Sequence, residues 1–137
     1  MSAKTFPSKD FLILCDDIRI ESGNKTSLLG YMGSTGTVVN VQKTDKVVLS
    51  SIVCVVSLLD GEGSFNSRLD LIDPAGKERV KGEPQQVQLR PGQTTNVAIK
   101  ISPFAISEGR YVVRMSLDDK RYEYHFSVAM TPQATAA

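Results

Sequence analysis

An all-β chain, arranged as an antiparallel two-sheet sandwich of about eight strands, is the architecture expected from these residues. Three observations lead there. Apolar and polar residues alternate with a period of two through most of the chain, as in Val97, Ile99 and Ile101 against Asn96, Ala98 and Lys100. Val, Ile and Thr supply 31 of the 137 residues, an enrichment that suits pleated, half-buried segments better than helices. Turn clusters recur every 8–12 residues or so, roughly the spacing of consecutive antiparallel strands.

The elements follow in order. Residues 1–10 are polar and mixed and read as an N-terminal arm. Phe11 to Glu21 reads as the first strand, with Leu12, Leu14, Ile18 and Ile20 on one parity. Asp16 falls on that apolar parity, where a carboxylate is costly. A bulge must release it, or backbone donors must hold it. Glu21 to Lys25 is a turn, and Ser27 to Met32 returns as the second arm of a hairpin. Glycines 30, 33 and 36 then mark a flexible inter-strand loop, Thr37 to Val41 is a short strand, and Gln42 to Lys46 is a polar turn. Val47 to Leu59 is apolar on both parities and rich in β-branched residues, which marks a central strand buried on both faces.

Phe65, Leu69 and Leu71 alternate with Asn66, Arg68 and Asp70, an outer strand with one wet face. Asp73-Pro74-Ala75-Gly76-Lys77 is a strong turn, because Pro fixes φ and Gly admits positive φ. Gln85 to Leu89 is a short polar edge strand, and Arg90 to Gln93 turns the chain into the strand carrying Val97, Ile99 and Ile101. Pro103 to Gly109 reads as a crossing loop with room for one helical turn. Tyr111, Val113, Met115 and Leu117 alternate next, Asp118 to Arg121 turns, and Tyr122, Tyr124, Phe126 and Val128 alternate back. The domain thus spans 11–130, and 131–137 is expected to be a disordered tail.

Composition excludes several classes. With 16 Lys+Arg against 15 Asp+Glu the net charge is +1, which argues against binding nucleic acid through a broad positive field. Two cysteines, one histidine and no tryptophan rule out a zinc ribbon, a haem site or a disulfide-stapled miniprotein. No apolar run approaches the roughly 20 residues of a membrane span, and the short run Phe11 to Cys15 is no secretory signal. The expectation is a cytoplasmic protein with no cofactor, no membrane and no nucleic-acid partner, its two thiols reduced.

The candidate sites are few. Asp16-Asp17, joined by Asp118-Asp119, could supply oxygen ligands to calcium, although no Asp-x-Asp-x-Asp-Gly loop is present. Their alternative role is to cap turn amides and pair with nearby cations such as Arg19. The segment Gly30 to Gly36 lacks the phosphate-loop pattern but can serve as a contact surface, with Tyr31, Met32, Ser34 and Thr35 as its partner-binding candidates. His125 sits on a polar parity with no Gly-x-Ser-x-Gly to join it, so no catalytic residue is assigned. Cys15 and Cys54 either face each other across the two sheets or pack as separate buried thiols. Tyr111, Tyr122 and Tyr124 have Arg110, Arg114 and Arg121 nearby. Such a set could stack bases, but the tyrosines' parity places them in the core.

The segment Cys15-Asp16-Asp17-Ile18-Arg19, with Glu21, Lys25 and Ser27-Leu28-Leu29-Gly30-Tyr31, resembles the opening hairpin of an uncharacterised family of small bacterial and phage-encoded proteins. It covers about a sixth of the chain. Here Gly23-Asn24-Lys25 stands where that family has a tight Gly-Lys turn. The resemblance implies a prokaryotic or viral source and no activity. Separately, the Glu108-Gly109-Arg110-Tyr111 hairpin resembles the last two strands of immunoglobulin-like domains, so the expected sandwich is immunoglobulin-like or C2-like. The expected function is that of a non-enzymatic protein-binding or structural module. It could be a virion or assembly component or an inhibitor of a host protein, and it could form a homo-oligomer through an edge strand. The alternative is a calcium- or small-ligand-binding sandwich resembling C2 domains.

Overall fold

The computed structural model describes residues 4–21, 25–43, 48–49 and 51–132. The fold is all-β, and no residue among those described is helical. No helix among them is therefore long and apolar enough to cross a membrane. Fourteen strands follow in chain order, three of them only two residues long: β1 (Lys9–Cys15), β2 (Asp17–Glu21), β3 (Lys25–Leu29), β4 (Gly33–Ser34), β5 (Val38–Lys43), β6 (Val48–Leu49), β7 (Ile52–Leu59), β8 (Gly63–Ile72), β9 (Glu78–Lys81), β10 (Gln85–Leu89), β11 (Thr94–Ile101), β12 (Phe104–Ala105), β13 (Gly109–Leu117) and β14 (Lys120–Pro132). The count exceeds the eight expected because short pieces pair where the sequence suggested loops.

Two principal sheets result. One has four strands in the order β11-β7-β1-β4. The other has six, in the order β10-β8-β13-β14-β5, with β9 also pairing β8. A single buried cluster draws on both: Leu12 and Leu14 of β1, Ile52 to Leu58 of β7 at alternate positions, and Val97 of β11 meet Phe65, Leu69, Tyr111, Met115, Phe126 and Val128. Fully burying one such side chain stabilises by about 1.5–3 kcal/mol, so this shared cluster dominates stability. Within it the Tyr111 and Phe126 rings stack at 5.1 Å, and Phe104 packs on Tyr111 at 5.7 Å.

Of the expected strand Val47 to Leu59, Ile52–Leu59 forms β7 and behaves as its two-faced pattern demands, whereas Val48–Leu49 forms β6 and pairs β12 in a separate two-stranded sheet, and Val47 and Ser50 lie outside the described residues. Ile52, Cys54, Val56 and Leu58 of β7 enter the shared cluster. Val53 and Val55 point the other way and are buried in a second cluster with Cys15, Ile13, Ile18 and Ala98. Ile18 comes from the antiparallel ribbon of β2 and β3, which therefore contributes to covering the outer face of the four-stranded sheet.

That ribbon exists because the expected strand Phe11 to Glu21 breaks at Asp16. The Asp16 N–H donates to the carbonyls of Leu29 (2.9 Å) and Gly30 (3.1 Å), and Ser51 Oγ donates to the Asp16 carbonyl (2.6 Å). With these bonds the chain bends, and the Asp16 carboxylate reaches the surface instead of the core. Gly30 has φ 67°, and a Cβ there would collide with the Asp16 side chain, so the corner needs glycine twice over.

Other boundaries also shift. The arm is not detached: Thr5 exchanges two 2.9 Å backbone hydrogen bonds with Glu62, and the Phe6 ring lies 5.2 Å from that of Phe65. Where a tail was expected, Thr131 and Pro132 continue β14, while 133–137 lie outside the described residues. The Pro103 to Gly109 loop forms β12, paired with β6, rather than a helical turn. Pairing is antiparallel except for β5 and β14, which run parallel. The strand carrying Phe65 is interior to its sheet, between β13 and the β9 and β10 edge, rather than an outer one. The turns at Asp73 and Arg90 form as expected. Asp73 Oδ1 accepts from the N–H groups of Ala75 and Lys77, and Gln93 N–H donates to the Arg90 carbonyl. Of the other expected turns, residues 22–24 and 44–46 lie outside the described residues.

Candidate functional site

The acidic pairs are not brought together. Asp16 and Asp17 sit at the Ser51 end of β7, with Lys100 Nζ 3.1 Å from Asp17 Oδ1. Asp118 lies at the other end, where it pairs with Lys4 Nζ at 3.0 Å and accepts from Asn66 N–H at 2.9 Å. The intervening strand, at about 3.3 Å per residue, spans on the order of 25 Å. The candidate calcium ligands are therefore not assembled into one cluster, and Asp17 and Asp118 make separate sets of turn and ion-pair contacts. Among the described residues, no group of three or more His, Cys, Asp or Glu side chains could hold a metal ion. Hydrogen bonding favours the charged form of Asp17 and Asp118: the Lys100 ammonium holds Asp17 below the ordinary value, and the Asn66 amide followed by Lys4 does the same for Asp118.

Cys15 and Cys54 lie on adjacent strands of one sheet, not across from each other on two. Cys15 registers with Val53, and Leu14 registers with Cys54, so the thiols point to opposite faces. Both are free and buried. Burial pushes the Cys54 thiol up to about 12; it also raises Cys15, helped by the nearby Asp16 charge.

The tyrosines face inward. Tyr111 and Tyr124 are buried in the shared cluster, and Tyr122 packs against it. Tyr124 Oη donates to Asp10, and its own burial followed by that carboxylate raises the phenol above its ordinary value. His125 is half-buried on the opposite parity, in register with Val112.

Of the loop candidates, Tyr31 is 66% exposed and Thr35 is also exposed, whereas Met32 turns in to pack against the shared cluster. Ser34 is half-buried in β4, opposite Ile13, and its N–H donates to Thr37 Oγ1. The loop is thus tied down rather than loose: Met32 N–H donates to the Leu14 carbonyl at 2.7 Å. Leu28 and Leu29 of β3 adjoin Tyr31. These three are among the five exposed large hydrophobics of the described residues, and they fall within four positions. Leu28 and Leu29 are consecutive in a strand, so their side chains leave opposite faces of the ribbon, with Leu28 on the Ile18 side; Tyr31 is the most exposed of the three.

A second feature escaped sequence reading. On the face of the six-stranded sheet turned away from the core, register builds two rows across β8, β13 and β14. Arg114 lies between Asp70 and Glu123, and Ser116 lies between Arg68 and Arg121. All of these side chains but Glu123, together with Asp118 and Asp119 of the next turn, line an open groove of about 280 Å³. Asp70 is only 2% exposed. It accepts from Arg68 Nε and Nη2 (3.2 and 3.0 Å) and from Gly82 N–H (3.0 Å), so its charge is fully engaged. The outward parity of Arg68, Arg114 and Arg121 was legible in the sequence; their alignment into one groove depends on register between strands.

Against known proteins, the chain matches no family model and no curated sequence.

Proposed function

We propose that this chain is an immunoglobulin-like two-sheet sandwich acting as a non-enzymatic protein-binding or structural module. Two features support the fold. The adjacent strands β1, β7 and β11 stand in the A, B, E order of immunoglobulin domains, and β8, β13 and β14 stand in the C, F, G order. Tyr111 is the third residue of β13, and its Oη accepts from the Ser107 N–H at 3.0 Å, the arrangement of a tyrosine corner near the start of strand F. The chain departs from antibody domains in having no tryptophan and no bridge between the B and F equivalents, β7 and β13.

The observation that carries the function is the exposed apolar set Leu28, Leu29 and Tyr31, displayed on a ribbon and loop pinned to a rigid sheet. In a virion or assembly component the partner is another structural subunit or a second copy; in a host-directed inhibitor it is a host protein. A photo-crosslinking side chain at position 31 tests the surface, with the same group at the exposed Gln86 on the β10 edge as control. The expected result is one discrete adduct from position 31, competed by wild-type protein but not by a Leu28→Ser/Leu29→Ser variant. An adduct of twice the chain mass identifies a second copy. Equal adducts from both positions, or none, overturn the proposal.

A further inference from the structure

We infer that the groove on the outer face of the six-stranded sheet is a binding site for a single compact oxyanion, a phosphate or carboxylate group, held by Arg114, Arg121 and Ser116. This does not rest on the ribbon surface proposed above. Several of the charged groups in the groove are already engaged. The Arg68 fork is closed on Asp70, and the second oxygen of Asp70 is taken by Gly82 N–H. Asp118 is engaged by Lys4 and by Asn66 N–H.

The remaining donors are open. Arg114 Nε is buried and has no hydrogen-bond partner among the described residues. Its nearest carboxylate oxygen, Glu123 Oε1, stands 3.6 Å away, beyond a good hydrogen bond. Leaving a buried donor unpaired is unfavourable; the Arg114 side chain as a whole is 27% exposed, so an acceptor in the groove meets its exposed part and relieves Nε as the guanidinium turns toward it. Arg121 neighbours Ser116 directly across the β13–β14 pair, and Arg114 lies two residues before Ser116 on the same face of β13. Two guanidinium groups and a hydroxyl therefore border one opening. Guanidinium matches the planar, paired oxygens of carboxylate and phosphate, and its charge is permanent, so both arginines stay charged at any physiological pH.

The groove also limits what enters. Asp119 lines it as well and has no charged partner among the described residues. Its charge opposes an extended polyanion and favours one small anionic group placed toward Arg114.

The test follows the arginine Nε–Hε signals of the full chain by nitrogen NMR during titration with inorganic phosphate and, separately, with glutarate, both at constant ionic strength. Arg114 and Arg121 are expected to shift saturably with at least one probe, while Arg68 stays in place. Saturation by phosphate alone identifies a phosphate ligand. Saturation by glutarate alone identifies a carboxylate, and saturation by both identifies a site that accepts either group. Arg121→Gln is expected to weaken binding by about fivefold or more, and Asp119→Asn to tighten it by about twofold, since one removes a charge-assisted donor and the other a repulsive charge. Both positions are exposed, so the remaining spectrum reports an intact fold. Shifts that match a sodium chloride control, no change in Arg121→Gln, or weaker binding in Asp119→Asn each overturn the site.

Discussion

On the four-stranded sheet, the outward residues of β7 include Val53 and Val55, both buried, with Ile18 of the ribbon packed against them. On the six-stranded sheet, the outward residues of β13 are Arg110, Val112, Arg114 and Ser116, and around Arg114 and Ser116 the face opens into the charged groove. Both sheets feed the same core, so the contrast lies entirely on their outer sides. It follows from what the chain does after each sheet strand. At Asp16 the chain leaves β1 and folds into a ribbon, which brings Ile18 back onto an apolar face. At Asp118 the chain turns tightly from β13 into β14, with no segment left over, and the outer side must carry groups that tolerate water. Covered apolar face and open charged face are thus two answers to one packing problem.

The contrast is broken most sharply by placing a charge on each face. Val55→Asp buries a carboxylate with no partner beneath the ribbon and is expected to cost about 4 kcal/mol or more, whereas Val112→Asp, half-buried beside Ile72 and His125, costs about 1 kcal/mol. Urea denaturation of both variants checks this; comparable losses would mean that the ribbon does not seal its face.

A smaller effect sharpens the picture of the charged face. Asp70→Ala leaves Arg68 and the Gly82 N–H without their acceptor, and because Arg68 is partly solvated the expected loss is about 2–3 kcal/mol. The Arg68→Ala/Asp70→Ala double variant should recover part of it, since the unpaired cation goes too. A double-mutant cycle in thermal melts measures the coupling, and strict additivity would remove the pair from the account.

The mildest perturbation uses the thiols as reporters of the two sides of one sheet. Cys15 lies under the ribbon and Cys54 in the shared core. Local opening of a two-stranded ribbon is easier than global unfolding, so Cys15 should react with a thiol reagent at least about tenfold faster than Cys54 under native conditions. Equal rates would show that the ribbon opens only with the whole domain. Because the folded Cys54 pKa is raised, its contribution is complete below the ordinary thiol value of 9.0. It is lost as pH rises through that value toward about 12. Stability measured from pH 7 to 10.5 should therefore fall less steeply in Cys54→Val.

Much of this contrast was legible one strand at a time. Period-two alternation located β8, β11, β13 and β14 and sorted their residues into core and outward sets. The continuous apolar pattern of β7 anticipated burial on both faces. What it could not convey was the second cover. Ile18 continues the alternation of Leu12 and Leu14, and only the backbone bonds at Asp16 move it from the core to the outer cluster. The groove was hidden for a similar reason. Arg68 lies far from Arg114 and Arg121 in the chain, and the register that aligns all three is set by pairing between strands. Tyr31 was visible as a loop residue, but the exposure of Leu28 and Leu29 just before it was not.

The parallel pairing of β5 with β14 has a mechanical consequence. Six consecutive residue pairs, Val38 with Ser127 through Lys43 with Pro132, run in the same direction. Tension entering at the start of β5 and leaving at the end of β14 pulls the two strands along their length in opposite senses. Their evenly spaced bonds then share the load instead of opening one after another. The same strands, pulled apart at one end, would unzip with far less force, so the resistance of this domain to stretching depends on the direction in which it is held.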